Sequence, residues 1–545
     1  MMRAHLSSDI RAFEAPVLKA NEEAGDPDKL MRQAAWGIAN RCKLALLERG
    51  HTIPGSQVMI LVGGGNNGGD GLYAAAYLAR RGLWVQAVLL TATPHEAALG
   101  YALKNGVRIC APSLDLPKKL AEDVLVQARK AGVWIDALTG IGGQGPLREP
   151  LGSLVQALTE ERYASPDEPI VIAVDTPSGI GVDDGTLPGP VLPADITVTF
   201  GSAKPGLLLP PACSRAGVIH VVDIDVEVDP SGPRGPVCGR IDMSDVADVW
   251  PTPAAGDHKY TRGVVGIHAG STAYPGAGIL AVAGAIGAGT GMVRYLGESS
   301  LRSMIISTFP EVVTVPGRVQ AQVIGPGMDP EDPAQAQAMH RAIEHSVSSG
   351  IPAVVDAGAL SVVGADVPST IVLTPHAGEL AQLLNRLHFD ESDYKGSNSA
   401  PRQVTREDVE AAPARYARLA AEVTGATVLL KGAVTVVAAP DGPILTSASA
   451  PPWLATGGTG DVLAGILGAL LGAYGDVLAQ AGRGHGLPAR LAVSAAWVHG
   501  AAAAMASGVD PLKHSFVYDS KTHGMPLRAL EVAHCVPKAL GLFLS

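Results

Sequence analysis

The chain has 545 residues, of which 47% are hydrophobic and 17% are charged. It is too long for one ordinary hydrophobic core, so we expect a globular protein with at least two domains. Its formal net charge of -11 argues against general nucleic-acid binding, which needs a basic surface. The five cysteines form no CxxC pair, which argues against a disulfide framework or zinc ribbon and favours a cytoplasmic location.

Three segments are informative through their composition. Met1 to Glu14 lacks the apolar run of a secretory signal. Gly276 to Val293 is a weakly apolar run built mainly of Gly and Ala, and it predicts a tightly packed buried helix with no membrane contact. Glu391 to Val409 is polar and rich in Ser, Asp and Gly, which predicts a surface insertion.

Short apolar runs alternate with helical stretches, the pattern of parallel α/β layers. The predicted strands of the first half are Val58–Val62, Trp84–Leu90, Val107–Cys110, Trp134–Ile135, Ile170–Val174, Ile196–Phe200 and Val218–Ile224. Those of the second half are Val264–His268, Gln322–Ile324, Ala353–Val355, Thr370–Leu373, Thr427–Leu430 and Val434–Val437. A segment rich in Pro and Gly follows Val228. We therefore predict domains at 1–228 and 246–545 with a linker at 229–245.

The first half contains a glycine-rich stretch, Gly63 to Gly71, which we predict to be a loop before a helix at Leu72 to Arg81. Its spacing matches the dinucleotide fingerprint GxGxxG. The following strand, however, ends in Thr91-Ala92-Thr93-Pro94 and lacks the acid that binds ribose. NAD-dependent hydride transfer is therefore disfavoured.

Further polar residues follow the predicted strands of this half. Asp136 and Asp175 end two strands, and Lys204 follows a third. Open α/β sheets bind ligands at these strand ends. The alternative is that the two aspartates cap turns and that Lys204 is solvated. Asn, Asp and Ser oxygens together also suit a hard cation.

These motifs resemble the NAD(P)H-hydrate epimerase family over about residues 5–225. The resemblance implies a Rossmann-like three-layer αβα domain that interconverts the R and S hydrates at one ring carbon. It implies K⁺ bound by Asn67, Asp136 and Ser178, and we expect Asp175 to supply acid or base catalysis. The implied hydrate contacts are Asn66, Asn67, Gly68, Gly69, Asp70, Gly140, Ile141, Gly142, Gly143, Gln144, Gly145, Pro146 and Asp175. The family loop usually begins Gly-Pro-Gly, whereas this one begins Gly63-Gly64-Gly65 and keeps the ligands that follow.

The second half contains a shorter glycine-rich turn, Thr456 to Asp461, which leads into the apolar run Val462 to Leu467. The start of a helix offers unpaired backbone N–H groups and the positive end of its dipole, which together bind phosphate. A carboxylate there needs a task of its own, and accepting a proton from a hydroxyl is the obvious one. The turn therefore indicates phosphoryl transfer assisted by a general base.

From about Val246 onward the chain resembles the ribokinase-like NAD(P)H-hydrate dehydratases, which use ADP or ATP. The matching segments are 258–263, 270–271, 274–277, 325–328, 356–357, 374–379, 430–432 and 457–461. The resemblance implies Mg²⁺ with the nucleotide, an anion hole at Gly458, Thr459 and Gly460, and Asp461 as base. It places Lys431, Gly432, Ala433, Val434 and Thr435 at the nucleotide, and Ala277, Gly327, His376 and Asp461 at the hydrate.

The two resemblances predict one metabolite-repair enzyme. It would epimerise the hydrates NADHX and NADPHX and dehydrate the S form, with ADP or ATP as the donor. We also expect a homo-oligomer, because helices rich in Gly and Ala commonly pack against neighbours. A ribokinase-class kinase of small molecules is one alternative. A non-enzymatic nucleotide-binding or protein-binding module in the N-terminal half is another. His499, in an Ala-rich run, is predicted to be a core residue.

Overall fold

The structure, a computed structural model, describes residues 1–143, 145–387, 403–480, 486–512 and 524–544. Contacts divide it into two compact units. One unit comprises Arg3–Val237, and the other comprises Cys238–Ser545 with Met1–Met2.

The N-terminal unit alternates helices and strands around a parallel sheet. Its elements are β1 (Met2–Ala4), α1 (Ser7–Glu23), α2 (Lys29–Glu48), β2 (Gln57–Val62), α3 (Gly65–Ala79), β3 (Trp84–Leu89), α4 (Glu96–Lys104), β4 (Arg108–Cys110), α5 (Pro117–Ala128), β5 (Val133–Ala137), α6 (Leu151–Ala164), β6 (Ile170–Val174), β7 (Ile196–Phe200), α7 (Pro205–Leu208) and β8 (Val218–Val222). The strand order is β4-β3-β2-β5-β6-β7-β8, and each pair is parallel. The order reverses between β2 and β5, which places the ligand crevice beyond the carboxyl ends of these two strands.

Both faces of this sheet are covered by helices. Val58 and Ile60 of β2 pack with α2, α3 and α4, whereas Met59 and Leu61 pack with α5 and α6. Successive residues of a strand point to opposite faces, so a continuous apolar run predicts a strand buried on both sides. The three-layer αβα arrangement confirms the predicted fold class.

The predicted loop at Gly63 to Gly71 is wrong in its extent, because α3 already begins at Gly65. Glycine has a poor helix propensity, but close packing requires it here. A β-carbon on Gly68 would overlap the carbonyl oxygen of Gly63. A β-carbon on Gly71 would lie 2.6 Å from the β-carbon of Ala137. The ligand-binding side chains of this motif are therefore held on the first turns of a helix.

The C-terminal unit is a second, larger α/β layer structure. Its elements are β9 (Cys238–Arg240), α8 (Met243–Val249), β10 (Val264–His268), α9 (Pro275–Gly287), β11 (Met292–Tyr295), α10 (Arg302–Thr308), β12 (Ala321–Ile324), α11 (Pro333–Ser349), β13 (Ala353–Val355), β14 (Ile371–Leu373), α12 (Ala377–Arg386), α13 (Arg406–Ala411), α14 (Pro413–Thr424), β15 (Thr427–Leu430), β16 (Thr435–Ala438), β17 (Ile444–Ser447), α15 (Thr459–Ala473), α16 (Gly475–Gln480), α17 (Leu487–Ala506) and α18 (Ala529–Leu540). The strand order is β9-β17-β16-β15-β14-β13-β12-β10-β11. Only the two pairs made by β16 with its neighbours β15 and β17 are antiparallel among these described strands.

Helices α9, α15, α17 and α18 form one large core with this sheet. Helices α11 and α14 contact β12 and β15 but contribute none of their buried side chains to that core, so they cover the opposite face. Helices α9 and α15 approach each other very closely. A β-carbon on Gly465 would overlap the carbonyl oxygen of Ala281, and one on Gly284 would overlap that of Val462. The backbones of these two helices are therefore in direct contact.

Three sequence-based expectations change in this unit. The run from Gly276 to Val293 is not one helix, because α9 ends at Gly287 and β11 begins at Met292. The turn between them is closely packed, since a β-carbon on Gly291 would overlap the backbone of Lys259. No helix in the described ranges is long and apolar enough to cross a membrane.

The expected surface insertion at 391–409 lies mostly outside the described residues. Its last part is ordered differently from the prediction, because helix α13 begins there behind a capping box made by Thr405 and Asp408. The predicted linker at 229–245 contains the boundary between the two units. It also contributes β9 and the start of α8, neither of which its Pro-rich composition predicts.

Candidate active sites

A cavity of about 900 Å³ lies at the carboxyl ends of β2, β5, β6 and β7 in the N-terminal unit. Its lining includes Asn66, Asn67, Asp70, Gly140, Ile141, Gly142, Gly143 and Asp175, all of them predicted hydrate contacts. A β-carbon on Gly140 would lie 2.9 Å from Asn67 Oδ1 and 3.0 Å from Asp175 Oδ2. Three segments far apart in the sequence thus meet at this glycine.

Asp175 is held by donors on both carboxylate oxygens. Its Oδ1 lies 2.5 Å from Lys204 Nζ and accepts a hydrogen bond from the Thr199 hydroxyl at 3.1 Å. Its Oδ2 accepts the backbone N–H of Ile141 at 3.2 Å. The backbone of Asp175 has a φ of 67°, a left-handed conformation that non-glycine residues adopt rarely and often at functional sites.

Lys204 is a buried cation of this site and is not solvated. Its side chain is 2% exposed, and its ammonium also donates to the Thr199 hydroxyl at 2.9 Å and to the Phe200 carbonyl at 3.2 Å. All three ammonium donors are thereby used. A buried ammonium is stable only when paired and hydrogen-bonded, and Asp175 supplies the pairing.

Two residues of the predicted cation site, Asp136 and Ser178, are in direct contact, and the third, Asn67, lies beside Gly140. The Ser178 hydroxyl donates to Asp136 Oδ1 at 2.6 Å, and the Ser178 backbone N–H donates to Asp136 Oδ2 at 2.9 Å. Ser178 Oγ in turn accepts a hydrogen bond from the Thr139 N–H at 3.0 Å. Thr139 precedes Gly140, the glycine that lies against Asn67. Burial raises the pKa of Asp136 although these hydrogen bonds oppose the shift.

Some predicted contacts of this half lie away from the cavity. Gly68 and Gly69 pack inside the protein, against Gly63 and Met31. Gly145 and Pro146 are exposed and do not line the cavity. Gln144 lies outside the described residues. The two buried glycines are therefore needed for packing. A sequence motif alone does not distinguish a glycine needed for packing from one that contacts a ligand.

The second site is built at the start of α15 in the C-terminal unit. Gly458 is the N-cap residue with a φ of 87°, and no side chain caps this helix. The first backbone N–H groups of any α-helix lack acceptors inside the helix, so those of Gly460 and Asp461 are available to an anion. The Thr459 hydroxyl is engaged with the carbonyl oxygens of Leu454 and Thr456, at 3.0 and 2.9 Å, and fixes the turn.

Lys431 reaches this turn from the end of β15. Its ammonium lies 2.7 Å from Asp356 Oδ1 and 3.9 Å from Glu379 Oε2, and 3.6 Å from where a β-carbon on Gly460 would be. Burial lowers the pKa of Lys431, but the carboxylates of Asp356 and Glu379 outweigh it and raise the pKa overall. A permanent positive charge therefore stands beside the exposed amides of α15.

Asp461 faces the same group of charges. The pKa of Asp461 is raised to about 7, chiefly by burial. The negative charge of Asp356 raises this pKa further, and the positive charge of Lys431 lowers it. Asp461 is the third residue of α15 and not its N-cap. A carboxylate with a pKa near neutrality is suited to general-base catalysis.

The predicted hydrate-binding residues lie at the same edge of the sheet. Gly327 has a φ of 64°, and a β-carbon there would overlap that of Ala277 on α9. Leu280 of the same helix would meet a β-carbon on Gly458 at 2.6 Å. Thus α9 joins the predicted hydrate contacts to the anion-binding turn.

His376 joins the site through the strand ends. It forms a β-bridge with Lys431 and is the N-cap of α12, where its Nδ1 accepts the Glu379 N–H at 3.2 Å. Its side chain is 59% exposed, and its Nε2 lies 3.6 Å from Glu379 Oε2. Gly432 and Ala433 are also exposed, whereas Val434 is buried and Thr435 is half-buried at the start of β16. His499 is buried as predicted, in the middle of α17.

Sequence reasoning missed five charged residues of these sites. Arg11, Glu14 and Asp28 line the N-terminal cavity. Asp356 and Glu379 surround Lys431. The segments holding Asp356 and Glu379 belong to the resemblance, which gave these two residues no role. No local pattern distinguishes Glu14 from the other charges of an amphipathic helix.

Fold and geometry together define a two-site α/β enzyme, with one cavity at a topological switch point and one helix start whose amides lie near a buried lysine and a carboxyl group. Comparison with known protein families gives a match for each half of the chain. Residues 27–206 match the family described as YjeF-related protein N-terminus, and residues 265–512 match the NAD(P)H-hydrate dehydratase family. None of the five cysteines forms a disulfide bond.

Named relatives cover nearly the whole chain. The bifunctional NAD(P)H-hydrate repair enzyme Nnr of Mycobacterium tuberculosis is 38% identical over 86% of this chain and 89% of its own length. The NAD(P)H-hydrate epimerase of Clavibacter michiganensis is 38% identical over 42% of this chain and 93% of its own. The solved ADP/ATP-dependent NAD(P)H-hydrate dehydratase of Bacillus subtilis, co-crystallised with ATP and Mg²⁺, is 26% identical with a TM-score of 0.42, over 55% of this chain and 96% of its own. The chain belongs to the family of bifunctional NAD(P)H-hydrate repair enzymes.

Proposed function

We propose that the N-terminal cavity interconverts R- and S-NAD(P)HX and that the C-terminal site dehydrates the S form to NAD(P)H. The dehydration is coupled to hydrolysis of ADP to AMP, or of ATP to ADP, with release of phosphate. One observation carries the second assignment. Asp461 and the ammonium of Lys431 converge on the unpaired amides of α15, which pairs a general base with an anion site.

In the dehydratase site, Asp461 takes the proton of the hydrate hydroxyl as that oxygen attacks the terminal phosphoryl group. The amides of Gly460 and Asp461 and the charge of Lys431 stabilise the transferred phosphate. Hydroxide is a poor leaving group, and phosphorylation converts it into phosphate. The lone pair of the ring nitrogen then expels phosphate, and loss of a ring proton restores the dihydropyridine.

The remaining predicted residues serve binding. Ala277, Gly327 and His376 contact the hydrate, and the segment 431–435 lines the nucleotide pocket together with Gly458, Thr459 and Gly460. Mg²⁺ suits the site because Asp356 and Asp461 supply carboxylate oxygens, the ligands that this ion prefers. When bound with the nucleotide, Mg²⁺ neutralises phosphate charge. Lys431 keeps Asp356 engaged at 2.7 Å, so Asp461 is the carboxylate that remains available to the hydroxyl.

In the epimerase cavity, Asn66, Asn67, Asp70, the segment 140–143 and Asp175 contact the hydrate, with Asp175 as a charged catalytic residue. A K⁺ ion suits Asn67, Asp136 and Ser178, which present amide, carboxylate and hydroxyl oxygens. Asp136 is 1% exposed and has no cationic partner within the described ranges, so a cation would supply the missing charge. When bound, K⁺ would lend its charge to the segment that carries Gly140.

We further infer that the enzyme acts in the cytoplasm, since none of its five cysteines forms a disulfide bond. Its partners are then small molecules: NADHX, NADPHX and the nucleotide. Self-association remains a prediction.

The activity is tested with purified full-length protein, a mixture of R- and S-NADHX, Mg²⁺, K⁺, and ADP or ATP. Return of NADH absorbance and release of phosphate are followed together. Complete conversion of both epimers with either donor is the expected result. Asp461→Asn should lose dehydration by about 100-fold or more and keep epimerisation, whereas the exposed Asp476→Asn should keep both.

Two outcomes would contradict parts of the proposal. Conversion that stops when the S form is consumed would remove the epimerase assignment. Absence of NADH with either donor would remove the dehydratase assignment, and a stable phosphorylated product of another small molecule would then indicate a ribokinase-class kinase.

A further inference from the structure

Four carboxyl groups line the N-terminal cavity, and they differ in their partners. Asp28 accepts a hydrogen bond from the Tyr73 hydroxyl at 2.6 Å, and Asp175 is paired with Lys204 at 2.5 Å. Glu14 and Asp70 have neither a hydrogen bond nor an ion pair with any residue that the structure describes. Two carboxyl groups are therefore free to exchange protons with a ligand.

The surroundings of these two groups favour a protonated Asp70. Asp70 is 8% exposed, and its burial raises its pKa. The negative charges of Asp175 and Glu14 raise it further, and Lys204 opposes them. Burial also raises the pKa of Glu14, and the negative charge of Asp175 adds to that shift, while two cations, Lys204 and Arg11, oppose it. The other charged or titratable groups that line the cavity are Asp28 and His95.

We propose that Asp70 is the acid that protonates the departing hydroxyl of the hydrate and that Glu14 is the base that deprotonates the incoming water. This inference rests on the epimerase activity proposed above and assigns its proton transfers. Asp175 keeps a different role, since its two oxygens already accept hydrogen bonds from Lys204, Thr199 and Ile141. It is the fixed negative charge beside the reacting ring.

The proposed step balances in protons and electrons. The lone pair of the ring nitrogen forms a double bond to the hydroxyl-bearing carbon as the C–O bond breaks. Asp70 gives its proton to the leaving oxygen, which departs as water, and the cationic ring is stabilised by the anion of Asp175. Water then adds to the opposite face of the planar carbon while Glu14 accepts its proton. A proton passes back from Glu14 to Asp70 through solvent, which restores the starting state.

Two carboxyl groups explain how proton transfer can occur at both faces of one ring carbon. The lone pair of a single fixed carboxyl group reaches one face of the ring, whereas epimerisation needs a departure and an addition on opposite faces. Asp70 comes from α3 and Glu14 from α1, so the two approach the cavity from different elements. Reversal of their roles carries the S hydrate back to the R hydrate.

The test uses full-length protein and purified R-NADHX without nucleotide, so that only epimerisation can occur. Conversion to the S form above the rate without enzyme is measured by chromatography. Asp70→Asn and Glu14→Gln should each lower the catalysed rate constant by about 100-fold. The matched control Glu22→Gln changes an exposed glutamate of the same helix and should leave the rate unchanged.

Thermal unfolding of each variant beside the wild type checks that the mutated N-terminal unit is folded, and dehydration of S-NADHX checks the C-terminal unit. Inactive wild-type protein in the R-NADHX assay would refute the proposed epimerase function itself. An active wild type with equally active Asp70→Asn and Glu14→Gln variants would overturn only the present inference.

A second measurement keeps the proposal testable if a variant fails to fold. In water labelled with ¹⁸O, wild-type enzyme should place one solvent oxygen in each newly formed S hydrate, because the original hydroxyl leaves. Retention of the original oxygen would indicate that the ring opens at the C–N bond instead, and would overturn the proposed step.

Discussion

The ammonium of Lys431 lies 2.7 Å from the carboxylate of Asp356, although 75 residues separate them in the chain. Asp356 is 2% exposed and follows β13, whereas Lys431 follows β15. Parallel strands bring these ends together and leave the cation beside the phosphate-binding turn. The ion pair therefore supplies the positive charge of the C-terminal site and also contributes to the stability of the C-terminal unit.

Loss of Lys431 should affect both activity and stability. Lys431→Met leaves the buried Asp356 uncompensated, which we expect to cost roughly 3 kcal/mol of unfolding free energy. Dehydratase activity should fall by at least 100-fold because the charge at the phosphate disappears. The double variant Lys431→Met/Asp356→Asn should regain most of the stability and none of the activity. Denaturant titration and phosphate release measure the two effects, and a double variant that recovers activity would contradict this role of Lys431.

The dehydratase should show an acid limb set by Asp461. This residue acts as a base only when ionised, and its pKa is about 7. The rate should therefore be half-maximal near pH 7 and fall to about a tenth of its plateau at pH 6. The measurement is kcat/KM for phosphate release at limiting S-NADHX and a fixed ADP concentration, because this ratio reports the groups of the enzyme before S-NADHX binds.

Asp356→Asn should move this acid limb to lower pH. The negative charge of Asp356 raises the pKa of Asp461, so its removal lowers that pKa. The exposed Asp441→Asn should leave the profile in place. A wild-type rate that stays constant between pH 6 and pH 8 would argue against Asp461 as the base of the rate-limiting step.

Gly140→Ala should damage the epimerase site selectively. The new methyl group would lie 2.9 Å from Asn67 Oδ1 and 3.0 Å from Asp175 Oδ2, closer than normal contacts. We expect at least a tenfold loss of epimerisation and about 1–3 kcal/mol of destabilisation. Gly100→Ala introduces a methyl group on α4 into open space and should leave the activity unchanged. Equal epimerisation by both variants would show that Asn67 and Asp175 need not be fixed at Gly140.

Epimerisation should depend on K⁺ through Asp136. Replacement of K⁺ by a bulky organic cation should lower the rate, because the buried carboxylate of Asp136 loses its counter-charge. Asp136→Asn should be slow in either salt, whereas the exposed Asp115→Asn should retain the response to K⁺. Rates measured at constant ionic strength make the comparison. A wild-type enzyme indifferent to the cation would contradict the proposed site.

Much of the fold follows from the sequence because both sheets are buried on two sides. Ile170–Val174 is uniformly apolar, and Val264–His268 is apolar up to its last residue. The structure reproduces the bounds of both runs. β11 was missed because Met292–Tyr295 contains Arg294 and sits against a glycine-rich turn. The first turn of α3 was missed because its glycines are required by close contacts that form only in the folded chain.

The sites were predictable where one short motif carries the function, as in Gly457 to Asp461. They were not predictable where charges converge from separate elements. Glu14 lies on α1 and reaches a cavity whose other carboxyl groups come from the N-cap of α2, from α3 and from the residue after β6. The partner of Lys431 likewise depends on the order of strands in the sheet.

The backbone contact between α9 and α15 has a consequence for the evolution of the dehydratase site. Ala277, the proposed hydrate contact, and Asp461, the proposed base, each lie in the first turn of one of these helices. Gly284 and Gly465 let the two helices meet without intervening side chains. Side-chain substitutions along this interface therefore have little room to alter the spacing between the hydrate contact and the base. Preference between the two hydrated cofactors, or between the two phosphate donors, must then vary through the surrounding loops while the distance that governs the chemistry stays constant.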